Sequence, residues 1–156
     1  MFGCTANLAG GGDARLLASG VLLAGGMAQT VQDLLVFQRA CAAADALFAI
    51  LQTTRLRSDR DLWAQLNRGS VRIVSDIAEG FEQKSDRHFA KFLYDARGSS
   101  AEVRAQLRIA ESRGYIAAAD RQRVSDLYEE VSRMLSGLIK YLERENRPHR
   151  QRPRTD

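Results

Sequence analysis

The chain has 156 residues, 45% of them hydrophobic and 27% charged, which is a globular composition and excludes a disordered polyelectrolyte. A net charge of +4 and a pI near 9.4 suit an anionic partner without requiring one. Cys4 and Cys41 form no Cys-x-x-Cys pair, so the simplest reading is a reduced, cytoplasmic protein with no disulfide framework.

Residues 1–30 hold seven of the twelve glycines, in runs such as Gly10-Gly11-Gly12 and Gly25-Gly26. Glycine at that density costs a helix about 1 kcal/mol per residue, so the segment reads as a poorly ordered leader. Its apolar piece, Leu16 to Ala24, is interrupted by Ser19 and Gly20 and is too short to span a bilayer. A cleavable signal is opposed by the polar stretch ahead of Arg15. The favoured reading makes Met27 the natural start and residues 1–26 an over-extended reading frame.

Both prolines, Pro148 and Pro153, fall in the last ten residues, so over residues 31–146 no proline interrupts a helix. Apolar residues recur there in steps of three and four, which predicts four helices. The first runs from about Val31 to Thr53, with Leu34, Phe37, Cys41, Ala44, Phe48 and Leu51 on one stripe. A second stripe, Val36, Ala40, Ala43, Leu47 and Ile50, lies beside it. Two adjacent stripes exceed what one bundle groove covers, so the second is assigned to a subunit contact.

A polar turn over Thr54 to Asp61 precedes the second helix, with Ser58 or Asp59 as its cap. That helix carries Trp63, Leu66, Ser70, Ile73, Ile77 and Phe81, with Gly80 as a C-cap. Ser85 caps the third, whose stripe is Phe89, Phe92, Ala96, Ser99, Val103, Leu107 and Ala110, and Gly114 closes it. The fourth begins near Ala118 and shows Val124, Leu127, Val131, Met134, Leu138 and Tyr141. Short connections make successive helices antiparallel, so the expected fold is an all-α, up-down four-helix bundle; a coiled-coil hairpin is the structural rival. Residues 147–156, with four arginines and His149, form a solvated basic tail.

These residues, in this order, resemble a family of bacterial four-helix-bundle proteins. Its members include proteins encoded by intervening sequences in 23S rRNA genes and relatives of the accessory variability protein of diversity-generating retroelements. The resemblance runs from about Asp33 to Leu142 and starts at Asp33-Leu34, Gln38, Gln65-Leu66 and Arg68. The family's run Asn-Ile-Ala-Glu-Gly followed by an aromatic stands here as Asp76-Ile77-Ala78-Glu79-Gly80-Phe81, after Ser70 and Ser75. Phe89, Phe92-Leu93, Ala96-Arg97-Gly98-Ser99, Glu102, Gly114-Tyr115-Ile116, Arg133-Met134-Leu135 and Leu138-Ile139 complete it. Asp76 departs from the family's asparagine, and a carboxylate cannot donate the hydrogen bonds of an amide. The resemblance implies a ring-like homopentamer without enzyme activity and, in the retroelement branch, binding to RNA and to a reverse transcriptase.

Residue chemistry sets further expectations. His88 and His149 are the only histidines, and neither follows a glutamate at the spacing of a di-iron bundle. No haem motif and no phosphate loop occurs, so neither catalysis nor a metal or other cofactor is expected. Glu79 is expected to pair with an arginine across helices or subunits. Arg97, Arg104 and Arg108 fall within about 40° of one another on the third helix, a stripe roughly 16 Å long. With Arg68 and Arg72 on the second helix, they form the candidate phosphate-contacting set, because the planar guanidinium donates two parallel hydrogen bonds. No aromatic is interleaved with these arginines on this reading, so base stacking is not expected. A nucleic-acid or nucleoprotein-binding module is therefore one function; a protein–protein scaffold with no nucleic-acid role is the alternative.

Overall fold

An apolar stripe repeating every three or four residues is stable only against another such stripe. In the computed structural model four long helices supply these faces to one another. The described residues are 22, 23, 26–52 and 54–145; residues 1–21 of the glycine-rich leader and the basic tail over 147–156 lie outside them. At the start, Leu22–Leu23 and Gly26–Met27 form a two-residue antiparallel ladder, β1 and β2, with Leu22 opposite Met27.

The first predicted helix divides in two. Thr30 N donates to Asp33 Oδ2 at 2.8 Å, holding Val31–Asp33 in a single 3₁₀ turn. Leu34 is extended (φ −73°, ψ 119°), and α1 begins only at Leu35 and runs to Leu51. The polar segment after it is partly helical: α2, Thr54–Ser58, buries Leu56. Asp59 caps α3 (Arg60–Phe81) by accepting from Leu62 N at 3.2 Å, and Trp63 Nε1 donates to the Leu51 carbonyl at 2.8 Å. Ser85 caps α4 (Asp86–Ser112). Gly114, at φ +69°, ends it as expected: Tyr115 N reaches back to the Ala110 carbonyl before α5 (Ala118–Glu145) begins.

Helix α3 lies along α4 and α4 along α5, and α1 closes the bundle against α3 and α5. The core comprises Leu47, Leu66, Ile73, Ile77, Leu93, Leu107, Tyr128, Leu135 and Leu138 among others, each at most 1% exposed. Tyr128, rather than its stripe neighbour Leu127, occupies the centre. Arg39 on α1 pairs with Glu130 on α5 at 3.5 Å. At one pole, Arg113 Nη1 meets Asp59 Oδ2 at 2.6 Å and Arg55 Nη1 donates to the Gly114 carbonyl at 3.3 Å, so the α2–α3 and α4–α5 connections touch.

Two expectations are corrected here. Gly80 is not a C-cap: the helix continues through Phe81, and a Cβ at Gly80 would lie 2.8 Å from Phe92 Cβ and from Phe89 Cδ2. Its role is to admit two aromatic residues of α4. The stripe Val36, Ala40, Ala43, Leu47 and Ile50 is not a contact between subunits, because each is at most 5% exposed within this subunit's own core. The other stripe is buried at its ends, Leu34 and Leu51, and only its middle reaches the surface, where Phe37, Cys41 and Ala44 are half-buried and Phe48 is 53% exposed.

Candidate nucleic-acid interface

Helix α4 is flanked by two grooves, and the predicted arginines divide between them. Glu102 and Gln106 face α3, where they share a groove of about 610 Å³ with Arg68, Arg72 and Ser75. Gln106 Nε2 donates to Gln65 Oε1 at 3.3 Å across it. Arg97 and Arg104 face the opposite way, toward α5. The body of α4 therefore separates Arg68 and Arg72 from Arg97, Arg104 and Arg108. Arg108 is exposed, one turn beyond Arg104.

The α4–α5 groove is the more basic of the two. Arg104, Arg133 and Lys140 line about 480 Å³ there, over a floor that includes Ser132, Ser136 and Gly137, with Glu129 as its acidic member. Arg97 joins from above: its Nη1 donates to Ser136 Oγ at 3.2 Å. Among the described residues none of Arg97, Arg104, Arg133 and Lys140 forms an ion pair. Arg72, in the other groove, already faces Asp76 Oδ2 at 3.8 Å. The serines are held by the fold: Ser136 Oγ donates to the Ser132 carbonyl at 2.8 Å, and the Ser132 and Ser100 hydroxyls share a bond of 2.9 Å. Four cations without an ion-pair partner beside fixed hydroxyls, against one lining carboxylate, have the chemistry to take phosphate oxygens.

Arg133 and Lys140 were not among the sequence candidates. They lie seven residues apart on one face of α5, at the same spacing as Arg97 and Arg104 on α4. Matching those two spacings across antiparallel helices would have found the groove. The expectation that no aromatic accompanies the arginines is also corrected. The Arg97 guanidinium lies 4.9 Å from the centroid of the Tyr94 ring, and the two are three residues apart, hence neighbours on a helix surface.

In the family run, Ile77 and Gly80 face the interior, Ala78 is half-buried and Glu79 is exposed. Glu79 forms no ion pair within the subunit among the described residues, so the expected arginine partner is absent there. Asp76 is the unusual member: its Oδ2 is buried and accepts no hydrogen bond. Burial pushes its carboxyl above the usual range against the pull of Arg72, and the negative charges of Asp95 and Glu79 add to the rise. Among the described residues no three histidine, cysteine, aspartate or glutamate side chains gather in a metal-holding group, and no helix is long and apolar enough to cross a membrane.

No curated protein matches the chain. The family model described as 23S rRNA-intervening sequence protein matches residues 32–137, which takes in α1, α3, α4 and the part of α5 that carries Arg133 and Ser136. With two-thirds of its length matched, the chain belongs to the 23S rRNA-intervening sequence protein family.

Proposed function

We propose that this protein is a non-catalytic, oligomeric RNA-binding bundle whose α4–α5 groove grips the phosphate backbone. The observation that carries the reading is the set of four cations, Arg97, Arg104, Arg133 and Lys140, in a groove where none has a carboxylate partner among the described residues. A ring of copies, assembled through the outer stripe of α1, repeats the groove and lets weak contacts sum. Arg68 and Arg72 have the lesser role, because Arg72 is partly neutralised by Asp76.

The test is an anisotropy titration against a hairpin RNA at several salt concentrations. Replacing Arg97, Arg104, Arg133 and Lys140 together by Gln weakens binding, and log affinity falls less steeply with log salt, by about 0.7 to 0.9 for each phosphate contact removed. Arg68→Gln with Arg72→Gln has a smaller effect. A parent protein that binds no RNA at about 50 mM salt overturns the reading. A second reading, a protein–protein scaffold, then takes its place; the exposed Phe48 on α1 favours it.

A further inference from the structure

Toward the N-terminal end of α4 the seam with α5 opens into a second cavity of about 540 Å³. Ala90 and Leu142 supply apolar wall, Arg87 and Lys91 supply cations, and Tyr94 and Glu143 complete the lining with Asp86 at the rim. Neither Arg87 nor Lys91 forms an ion pair among the described residues. Tyr94 stands between this cavity and the basic groove. It lines the first, and through Arg97 it adjoins the second.

The ring is fixed in place yet open. Its hydroxyl donates to Glu143 Oε1 at 2.8 Å, its residue is 43% exposed, and Arg97 lies over the ring on the groove side. The hydrogen bond to Glu143, followed by desolvation and the charge of Glu143, raises the Tyr94 pKa, so the phenol stays neutral beside any phosphate. A flat aromatic surface held next to apolar wall, with cations on both sides along one helix, is the chemistry that receives a nucleobase and its flanking phosphates. Bases in an A-form duplex are stacked inside and cannot offer a face to a side chain, whereas an unpaired base can.

We propose that Tyr94 is a stacking platform and that this cavity takes one unpaired base of a single-stranded RNA, whose backbone continues along the α4–α5 groove. The inference rests on the groove reading above and adds a preference for single strands that the groove alone does not supply. From Tyr94 to Arg104 the path along α4 is about 15 Å.

The full chain is titrated with an unstructured oligonucleotide and with a blunt-ended RNA duplex carrying the same number of phosphates, and again with Tyr94→Ala and Tyr94→Phe. Tyr94→Ala is expected to weaken binding of the single strand about tenfold while duplex affinity and helix content stay unchanged. Tyr94→Phe, which keeps the ring, retains single-strand binding. An oligonucleotide containing 2-aminopurine gives a direct signal: stacking quenches its fluorescence on the parent and on Tyr94→Phe, not on Tyr94→Ala. Equal losses on both RNAs, no loss on either, or no quenching overturns the platform. A parent that binds the duplex and ignores the single strand overturns this inference alone; a parent that binds neither overturns the groove reading with it.

Discussion

Tyr128 on α5 donates a hydrogen bond of 2.9 Å to Ser70 Oγ on α3, joining two helices across the middle of the bundle. From the same turn of α5 the Tyr128 carbonyl accepts from Ser100 Oγ of α4 at 2.9 Å. Hydroxyls therefore replace aliphatic packing at the level where three helices meet, and each of these buried groups has a partner.

Tyr128→Phe should lower stability by about 1 to 2 kcal/mol, because it leaves the Ser70 hydroxyl buried and unpaired. Adding Ser70→Ala should cost less than the sum of the two single changes. Burial pushes the Tyr128 phenol up from 10.0 to about 12, against the opposing effect of its hydrogen bond to Ser70. A raised folded pKa means the contribution is whole below pH 10 and disappears as pH climbs through 12. The loss is about 2 to 3 kcal/mol. Urea unfolding at stepped alkaline pH should show it in the parent and not in Tyr128→Phe.

Glycines in the two central helices should respond in opposite ways. At Gly80 a methyl group meets Phe92 Cβ at 2.8 Å, an atom fixed to the α4 backbone, so Gly80→Ala should destabilise by about 1 to 3 kcal/mol despite better helix propensity. At Gly98 nothing lies within 4 Å, and Gly98→Ala should stabilise by about 0.5 to 1 kcal/mol. Thermal melts of the pair decide whether α3 and α4 approach as closely as described.

Leu47 and Phe48 are adjacent on α1 and point in opposite senses, one 0% and the other 53% exposed. Leu47→Glu places a charge in the core and should cost more than about 4 kcal/mol, seen as loss of cooperative unfolding. Phe48→Glu should leave the melt close to the parent's and instead reduce the mass measured by light scattering. An unchanged mass would remove the outer stripe of α1 from the proposed assembly.

Asp76→Asn should raise stability at neutral pH. The native carboxyl titrates above its unfolded value because burial disfavours its charge, so its contribution is fully present below pH 3.8 and lost as pH rises through the folded pKa. The exposed Arg72 offsets this only weakly. The difference between the two proteins should shrink on acidification to about pH 3. A destabilising Asn at pH 7 would mean that the Arg72 contact outweighs desolvation.

Features encoded by adjacent residues were the legible ones. Ser85 and Gly114 act as read, and of the two cap candidates Ser58 and Asp59 it is Asp59 that caps, because a cap requires only the backbone three or four residues away. Gly80 was misread since the same residue serves as a terminus or as a contact, and Phe89 and Phe92 of another helix decide which. On α1 both stripes are apolar, so spacing could not say which one meets α3 and α5. The basic groove needed two helices at once: Arg97 and Arg104 were visible as a stripe, whereas Arg133 and Lys140 gain meaning only when α5 lies against α4. Tyr94 beside Arg97 was legible, three residues away on the same face.

The contacts between the α2–α3 and α4–α5 connections give the molecule a fixed end. Asp59, whose carboxyl is held below its ordinary range first by the Leu62 amide and further by Arg113, is both helix cap and clasp, and Arg55 fastens the Gly114 carbonyl beside it. Helices α4 and α5 are thus anchored to each other at the Gly114 end, and Tyr94, Arg97 and Ser100 continue the tie away from that anchor through Glu143, Ser136 and the Tyr128 carbonyl, so the seam has one register along its length.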